Sequence, residues 1–144
     1  MDPKKIYLVQ TDTTVGLVSQ NDEALRRAKS RAEGKPFIVT VAGCAELKKL
    51  TRVPKKKRKI VRRASKTTFV YPHKNIAIRV VHSGDYYEFL RPFGWAYSTS
   101  ANEAGKAFEL SFAKSVADEA LGGVFEERAP SKIVVLAKKM KKLR

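Results

Sequence analysis

The sequence predicts an α/β protein built on one open mixed sheet with flanking helices. Three observations carry that reading. Short β-branched runs alternate with helix-like segments, without the strict strand–helix–strand rhythm of a purely parallel sheet. The chain has 144 residues, enough for one ordinary domain and too few for two. It is 43% hydrophobic and 31% charged, so a packed core is available and whole-chain disorder is excluded. No internal repeat or long flexible linker interrupts it. We expect a single domain over residues 1–137 and a basic tail over 138–144.

The elements follow in order. Lys5–Gln10 reads as a strand through the β-rich run Ile6-Tyr7-Leu8-Val9, and Val15–Val18 as a second after a Thr-rich turn. Asn21 caps a helix running to about Glu33, with Ala24, Leu25, Ala28 and Ala32 on one side and Gly34 as its stop. Pro36–Ala42 is almost continuously apolar, as in a strand covered on both faces. Ala45–Leu50 is a short helix. A basic helix follows, with Ile60, Val61 and Ala64 as its apolar edge. Thr67–Tyr71 and Asn75–Val81 are strands joined by the turn Pro72-His73-Lys74. Asp85–Phe93 is a helix ending at Gly94, and Trp95–Thr99 a strand. Ser111–Leu121 is an amphipathic helix stopped by Gly122-Gly123, and Lys132–Ala137 is a last strand.

Charge narrows the function. Lys and Arg number 30 against 14 Asp and Glu, a net +16. The excess is concentrated. Lys48–Lys66 and Lys138–Arg144 hold it all, and the rest of the chain is balanced. Dense blocks of one sign repel themselves and commonly serve as interaction surfaces, so the pattern points to a polyanionic partner. Lys55, Lys56, Lys57, Arg58, Lys59, Arg62 and Arg63 are the candidate RNA-binding residues. Pro54–Lys59 also has the form of a short nuclear localisation signal.

Other classes are excluded. A single cysteine, Cys44, rules out an internal disulfide framework and a four-cysteine metal site, and suits a reducing compartment. Cys44, His73 and His82 have no metal-ligand spacing, so no metal site is expected. Neither G-x-G-x-x-G after a strand nor a Walker A loop occurs. No apolar run approaches a membrane span, and Met1–Lys5 is not the start of a signal peptide. The expectation is a cytoplasmic protein with no membrane partner.

Four segments carry candidate chemistry. Thr11–Gly16 is a hydroxyl-rich turn at a strand end, where open α/β sheets bind ligands. Lys29, Arg31 and Lys35 cluster around a helix end, and a fork plus point charges suits a phosphate chain. Arg79 alternates with apolar residues on an inner strand and needs an anionic partner. Ser98–Asn102 places hydroxyls and an amide where another strand runs out.

In order, these segments are Thr-Asp-Thr-x-x-Gly-Leu, Lys-x-Arg-x-x-x-Lys-Pro, Thr-Phe-Val, Ala-Ile-Arg-Val, Ser-Thr-Ser-Ala-Asn-x-x-Gly and Pro-Ser-x-Ile. From about Ile6 to Val135 the chain resembles the YrdC-type family, the threonylcarbamoyl-AMP synthases of tRNA modification. The resemblance implies a twisted open mixed sheet with a concave basic cavity. It implies condensation of L-threonine, bicarbonate and ATP with release of pyrophosphate, Mg²⁺ accompanying the ATP. It further implies binding of double-stranded RNA or tRNA, and delivery of the product to threonylcarbamoyl-transfer proteins. Lys29, Arg31, Lys35, Asn75, Ser100 and Asn102 would hold ATP; Thr13, Arg79 and Ser98 would hold threonine. Such chemistry needs positioned anions rather than side-chain acid–base work, so no catalytic His or Cys is required.

The chain departs from the family pattern at Gln10, Ala32, Ala64-Ser65-Lys66 and Phe108, and Arg144 is the one candidate for a C-terminal nucleotide arginine. Two readings therefore stand side by side: a compact synthase, and a catalytically reduced RNA-binding module of the same family.

Overall fold

The computed structural model describes residues 1–31 and 35–144. Its strands are β1 (Tyr7–Gln10), β2 (Val15–Ser19), β3 (Ile38–Ala42), β4 (Thr67–Tyr71), β5 (Ile76–Val81), β6 (Trp95–Ser100), β7 (Glu119–Ala120), β8 (Lys132–Val135) and β9 (Lys141–Lys142). Its helices are α1 (Asp22–Lys29), α2 (Cys44–Leu50), α3 (Arg58–Arg63), α4 (Asp85–Leu90) and α5 (Leu110–Val116), with one 3₁₀ turn over Lys55–Lys57. The strands form one mixed sheet in the order β7-β1-β2-β6-β3-β5-β4-β8-β9. Pairings β7–β1, β3–β5 and β4–β8 are parallel and the others antiparallel. The expected α/β class and open mixed sheet are therefore observed.

Strand alternation divides the side chains between two unequal faces. On one, Leu25 of α1 and Ala113 of α5 cover Leu8 and Leu17, while Leu47 of α2 and Val61 of α3 cover Val39, Val41, Phe69 and Ile78. Tyr97 packs against both groups and joins them. On the other face α4 is the one helix that packs among the described residues, setting Tyr86 and Leu90 on Tyr7, Val9, Val18, Val81 and Ala96. That face also carries Thr40, Thr68, Arg79 and Ser98, all buried yet polar, with Thr40 lying against Tyr86. A polar sheet face left without a helix is where this fold can hold a ligand.

Three helix ends differ from the sequence expectation. α1 stops at Lys29, because Ser30 takes a left-handed conformation (φ 49°) and closes the helix on the Arg27 carbonyl. The expected continuation through Ala32 and Glu33 to Gly34 falls on residues outside those described. α5 stops at Val116 rather than Leu121. The chain beyond it is drawn to the open edge of β1, where Asp118 N–H donates to Ile6 O and Leu121 N–H to Leu8 O, each at 2.8 Å. Pairing an exposed strand edge outcompetes a further helical turn. α4 ends at Leu90, whose carbonyl takes both the Phe93 and Gly94 N–H groups. In α3, Val61 is buried but Ile60 is 42% exposed, so the apolar edge is narrower than the spacing predicts.

The basic segment 138–144 lies along the sheet edge. β9 pairs antiparallel with β8, and the Arg144 guanidinium donates to Ser131 O at 2.9 Å and to Ser131 Oγ at 3.2 Å.

Gly16 is required by packing. A Cβ there would sit 2.7 Å from Thr11 Cγ2 and 3.4 Å from Thr99 O. Thr11 cannot swing aside, because its hydroxyl is held by the Thr14 carbonyl at 2.5 Å. Gly16→Ala is expected to destabilise the fold by about 1–3 kcal/mol, measured by urea unfolding. An unchanged midpoint would mean that the Thr11–Thr14 turn is soft.

Candidate functional site

The helix-free part of the sheet encloses a cavity of about 450 Å³. Thr13, Arg79, Ser98 and Ser100 line it from the strand ends, Arg31 from one rim and Arg144 from the other. Five of the predicted ligand-binding residues thus meet in one place. Arg144, the C-terminal candidate, joins them because β9 folds back along β8. Burial, then the positive charge of Arg79, holds the Arg144 guanidinium below its usual pKa.

Arg79 sits at the floor, its side chain only 4% exposed. The partner that its buried charge demands is Asp12, whose Oδ1 accepts from Nε at 3.1 Å and from Nη2 at 3.0 Å. Asp12 lies in the hydroxyl-rich turn, so Thr13 and the anchor of Arg79 come from the same three residues. The Thr11 hydroxyl accepts the Thr13 N–H at 3.1 Å and donates to Thr14 O, which fixes the turn. The sequence asks for an anionic partner of Arg79, whether carboxylate, phosphate or structural acid, without naming one. The lone carboxylate in Thr11-Asp12-Thr13 was the available signal.

Beside this pair, Tyr86 of α4 lies over Thr40 on the same sheet face, with their hydroxyl oxygens 2.7 Å apart. Burial pushes the Tyr86 phenol up to about 12. Below an ordinary phenol pKa of about 10 both folded and unfolded chains keep the proton. Between about 10 and 12 the unfolded chain loses it first, so stability falls as pH rises through that window. The stability advantage of the parent over Tyr86→Phe is expected to shrink by about 1.4 kcal/mol per pH unit there. Paired urea titrations at stepped pH check this; a constant difference would count against it.

Lys29 and Arg31 act differently although they are two residues apart. Lys29 is buried at the end of α1, and its ammonium donates to the carbonyls of Ser100, at 2.8 Å, and of Asn102. It thereby ties α1 to the loop after β6. Burial, then the nearby Arg31 charge, lowers its pKa. The Ser30 turn redirects the chain so that Arg31 donates to Lys35 O at 3.2 Å and Pro36 O at 3.1 Å, its guanidinium 5.0 Å from the Phe37 ring centre. Asn102 shapes its own loop by donating to Glu103 O and Lys106 O. Lys29 and Asn102 meet the cavity through Ser100. Lys35 is exposed and Asn75 occupies the β4–β5 turn with φ 50°; neither lines the cavity.

The basic block lies on the opposite face of the sheet. There α2, α3 and the β4–β5 turn enclose a groove of about 750 Å³. Of the seven predicted RNA-binding residues, Arg58 and Arg62 face this groove, one helical turn apart. Lys55, Lys56, Lys57, Lys59 and Arg63 do not line it. Among the described residues no group of three His, Cys, Asp or Glu is placed to hold a metal ion, and no helix is long and apolar enough to cross a membrane.

A family model for Sua5, YciO and YrdC proteins, described as "Telomere recombination", matches residues 2–144. The chain belongs to the Sua5/YciO/YrdC family. Solved relatives share its fold at low identity. Sua5 of P. abyssi superposes with a TM-score of 0.78 at 19% identity, over 97% of this chain and 49% of that one. E. coli YciO gives 0.77 at 16% identity, over 98% and 82%. MTH1692 of Methanobacterium thermoautotrophicum gives 0.69 at 20%, over 97% and 79%. The chain thus spans about half the length of the P. abyssi protein, which has also been solved complexed with L-threonine. No curated protein matches the sequence. Within the Sua5/YciO/YrdC fold, the cavity is the polar sheet face that α4 leaves uncovered, and its lining comes from the motifs that carry the sequence resemblance.

Proposed function

We propose that this chain binds L-threonine and ATP in the open-face cavity and joins them with bicarbonate into threonylcarbamoyl-AMP, releasing pyrophosphate, as a step in forming threonylcarbamoyladenosine in tRNA. The observation that carries the reading is the convergence of Thr13, Arg79 and Ser98 with Arg31 and Ser100 in one cavity. Family membership and a solved relative holding L-threonine support it.

Arg79 pairs with the threonine carboxylate, Asp12 keeping the guanidinium in place. Thr13 and Ser98 offer short hydroxyls to the rest of the amino acid. Arg31 and Ser100 lie toward the phosphates, and Lys29 and Asn102 hold the loop that presents Ser100. Lys35 and Asn75, which do not line the cavity, have no assigned contact with the bound substrates. The threonine amine and bicarbonate join with loss of water to give N-carboxythreonine; its carbamate oxygen attacks the α-phosphorus, the bond from that phosphorus to the bridging oxygen breaks, and pyrophosphate leaves with the electron pair. Cationic and hydroxyl groups fixed in advance stabilise the charge that develops on the leaving pyrophosphate. Mg²⁺ enters on the triphosphate as part of the substrate.

RNA binds separately, on the basic block over Lys55–Lys59, Arg62 and Arg63, and the threonylcarbamoyl-transfer proteins take the product. Calorimetric titration with L-threonine tests the cavity assignment. Binding is expected for L-threonine, weakened for L-alanine, and absent in Thr13→Val. Equal affinity for both amino acids would remove the role given to the hydroxyls.

A further inference from the structure

The groove between α2 and α3 is more than a patch of charge. Lys48, Lys49, Arg52, Arg58, Arg62 and Lys74 ring it, with no acid in its lining. Among the described residues, Lys49 pairs with Glu46 at 3.0 Å and Arg58 donates to the Val53 carbonyl at 3.2 Å. Beneath the rim lies an apolar floor, half-buried Leu50 and Val53 over buried Leu47 and Val61. At one end stands the exposed ring of His73, tethered by Thr51 Oγ1 at 3.2 Å and edge-on to Tyr71.

A regular duplex offers phosphates to a surface but nothing that descends onto a recessed apolar floor. An unpaired nucleotide does, because its base can leave the stack and lie on apolar, imidazole or guanidinium planes while its phosphates stay on the rim. An acidic peptide would use the same charges, but it has less use for an exposed imidazole ring and three guanidinium groups around one opening. We propose that this groove holds an unpaired nucleotide of structured RNA, its base on Leu50, Val53 and the His73 ring and its flanking phosphates on Arg52, Arg58 and Arg62. The inference rests on the RNA-binding reading and adds which RNA feature is held and where. It also puts the RNA on the face opposite the cavity, so RNA and substrates bind together.

Fluorescence anisotropy tests it with two labelled RNAs of equal phosphate number, a hairpin with an open loop and a blunt duplex. The hairpin is expected to bind about fivefold or more tightly than the duplex. His73→Ala and Val53→Ser remove that preference and leave duplex affinity unchanged; His73 is exposed, so its variant folds normally, checked by circular dichroism. Arg62→Ala weakens both RNAs and lowers the salt slope by about 1. Equal binding of the two RNAs, with His73→Ala silent, overturns the inference while the RNA surface stands. Binding of neither RNA overturns the surface as well. Displacement of the hairpin by an acidic Leu/Glu helical peptide that loses affinity in His73→Ala and Val53→Ser, with no hairpin preference, assigns the groove to a protein and also overturns it.

Discussion

Arg79→Ala is expected to abolish L-threonine binding and to destabilise the fold by roughly 3 kcal/mol. Both effects have one origin. The Arg79 side chain is almost wholly buried, and Asp12 receives two of its N–H groups on a single oxygen. Removing the guanidinium leaves the mostly buried Asp12 carboxylate without its counter-charge, and breaking such a pair costs far more than the pair itself contributes. It also frees the Thr11–Thr14 turn, which presents Thr13 to the cavity. Asp12→Asn separates the two roles. The fork keeps a hydrogen-bond acceptor, so stability falls less, while threonine binding weakens because Arg79 is no longer held in one orientation. Urea unfolding and calorimetry together decide. A variant Arg79→Ala that binds threonine normally would remove this residue from the site.

Lys29→Met carries the second large effect. A buried ammonium that donates to the carbonyls of Ser100 and Asn102 joins α1 to the loop after β6. Hydrogen bonds to a charged group are worth about 1.5–3 kcal/mol, and the methionine leaves those carbonyls unpaired. Stability is therefore expected to drop by about 2 kcal/mol and ATP affinity by more than tenfold, since Ser100 loses its support. RNA affinity is expected to stay within about twofold, because the basic block sits across the sheet. Replacing Lys55, Lys56 and Lys57 by Ser reverses the pattern, weakening RNA and sparing ATP. Parallel titrations with ATP and RNA measure this; equal losses in both would mean that the two surfaces are one.

The sheet is legible because its strands are short, β-branched and bounded by turns, and the nearly continuous apolar run of β3 reads as a strand covered on both faces. Motif order singles out Thr13, Arg31, Arg79, Ser98 and Ser100, which the fold brings around one cavity. What could not be read was competition between distant groups. α5 looks helical to Leu121, but the free edge of β1 captures Asp118–Ala120 as β7. α1 shows helical spacing past Lys29, yet the Ser30 turn and the pull of the Ser100 loop on Lys29 end it there. Arg144 looks like a loose terminal charge until β9 is seen pairing with β8. The groove at His73 was hidden for the same reason, since its walls come from α2, α3 and a turn that sequence treats separately.

The most direct test of the synthase reading is pyrophosphate release from ATP and bicarbonate by the purified chain, with and without L-threonine. The account predicts release that requires threonine and disappears in Arg79→Ala. Absence of threonine-dependent release, with threonine and ATP both bound, would contradict it and leave the chain as a catalytically reduced RNA-binding member of its family.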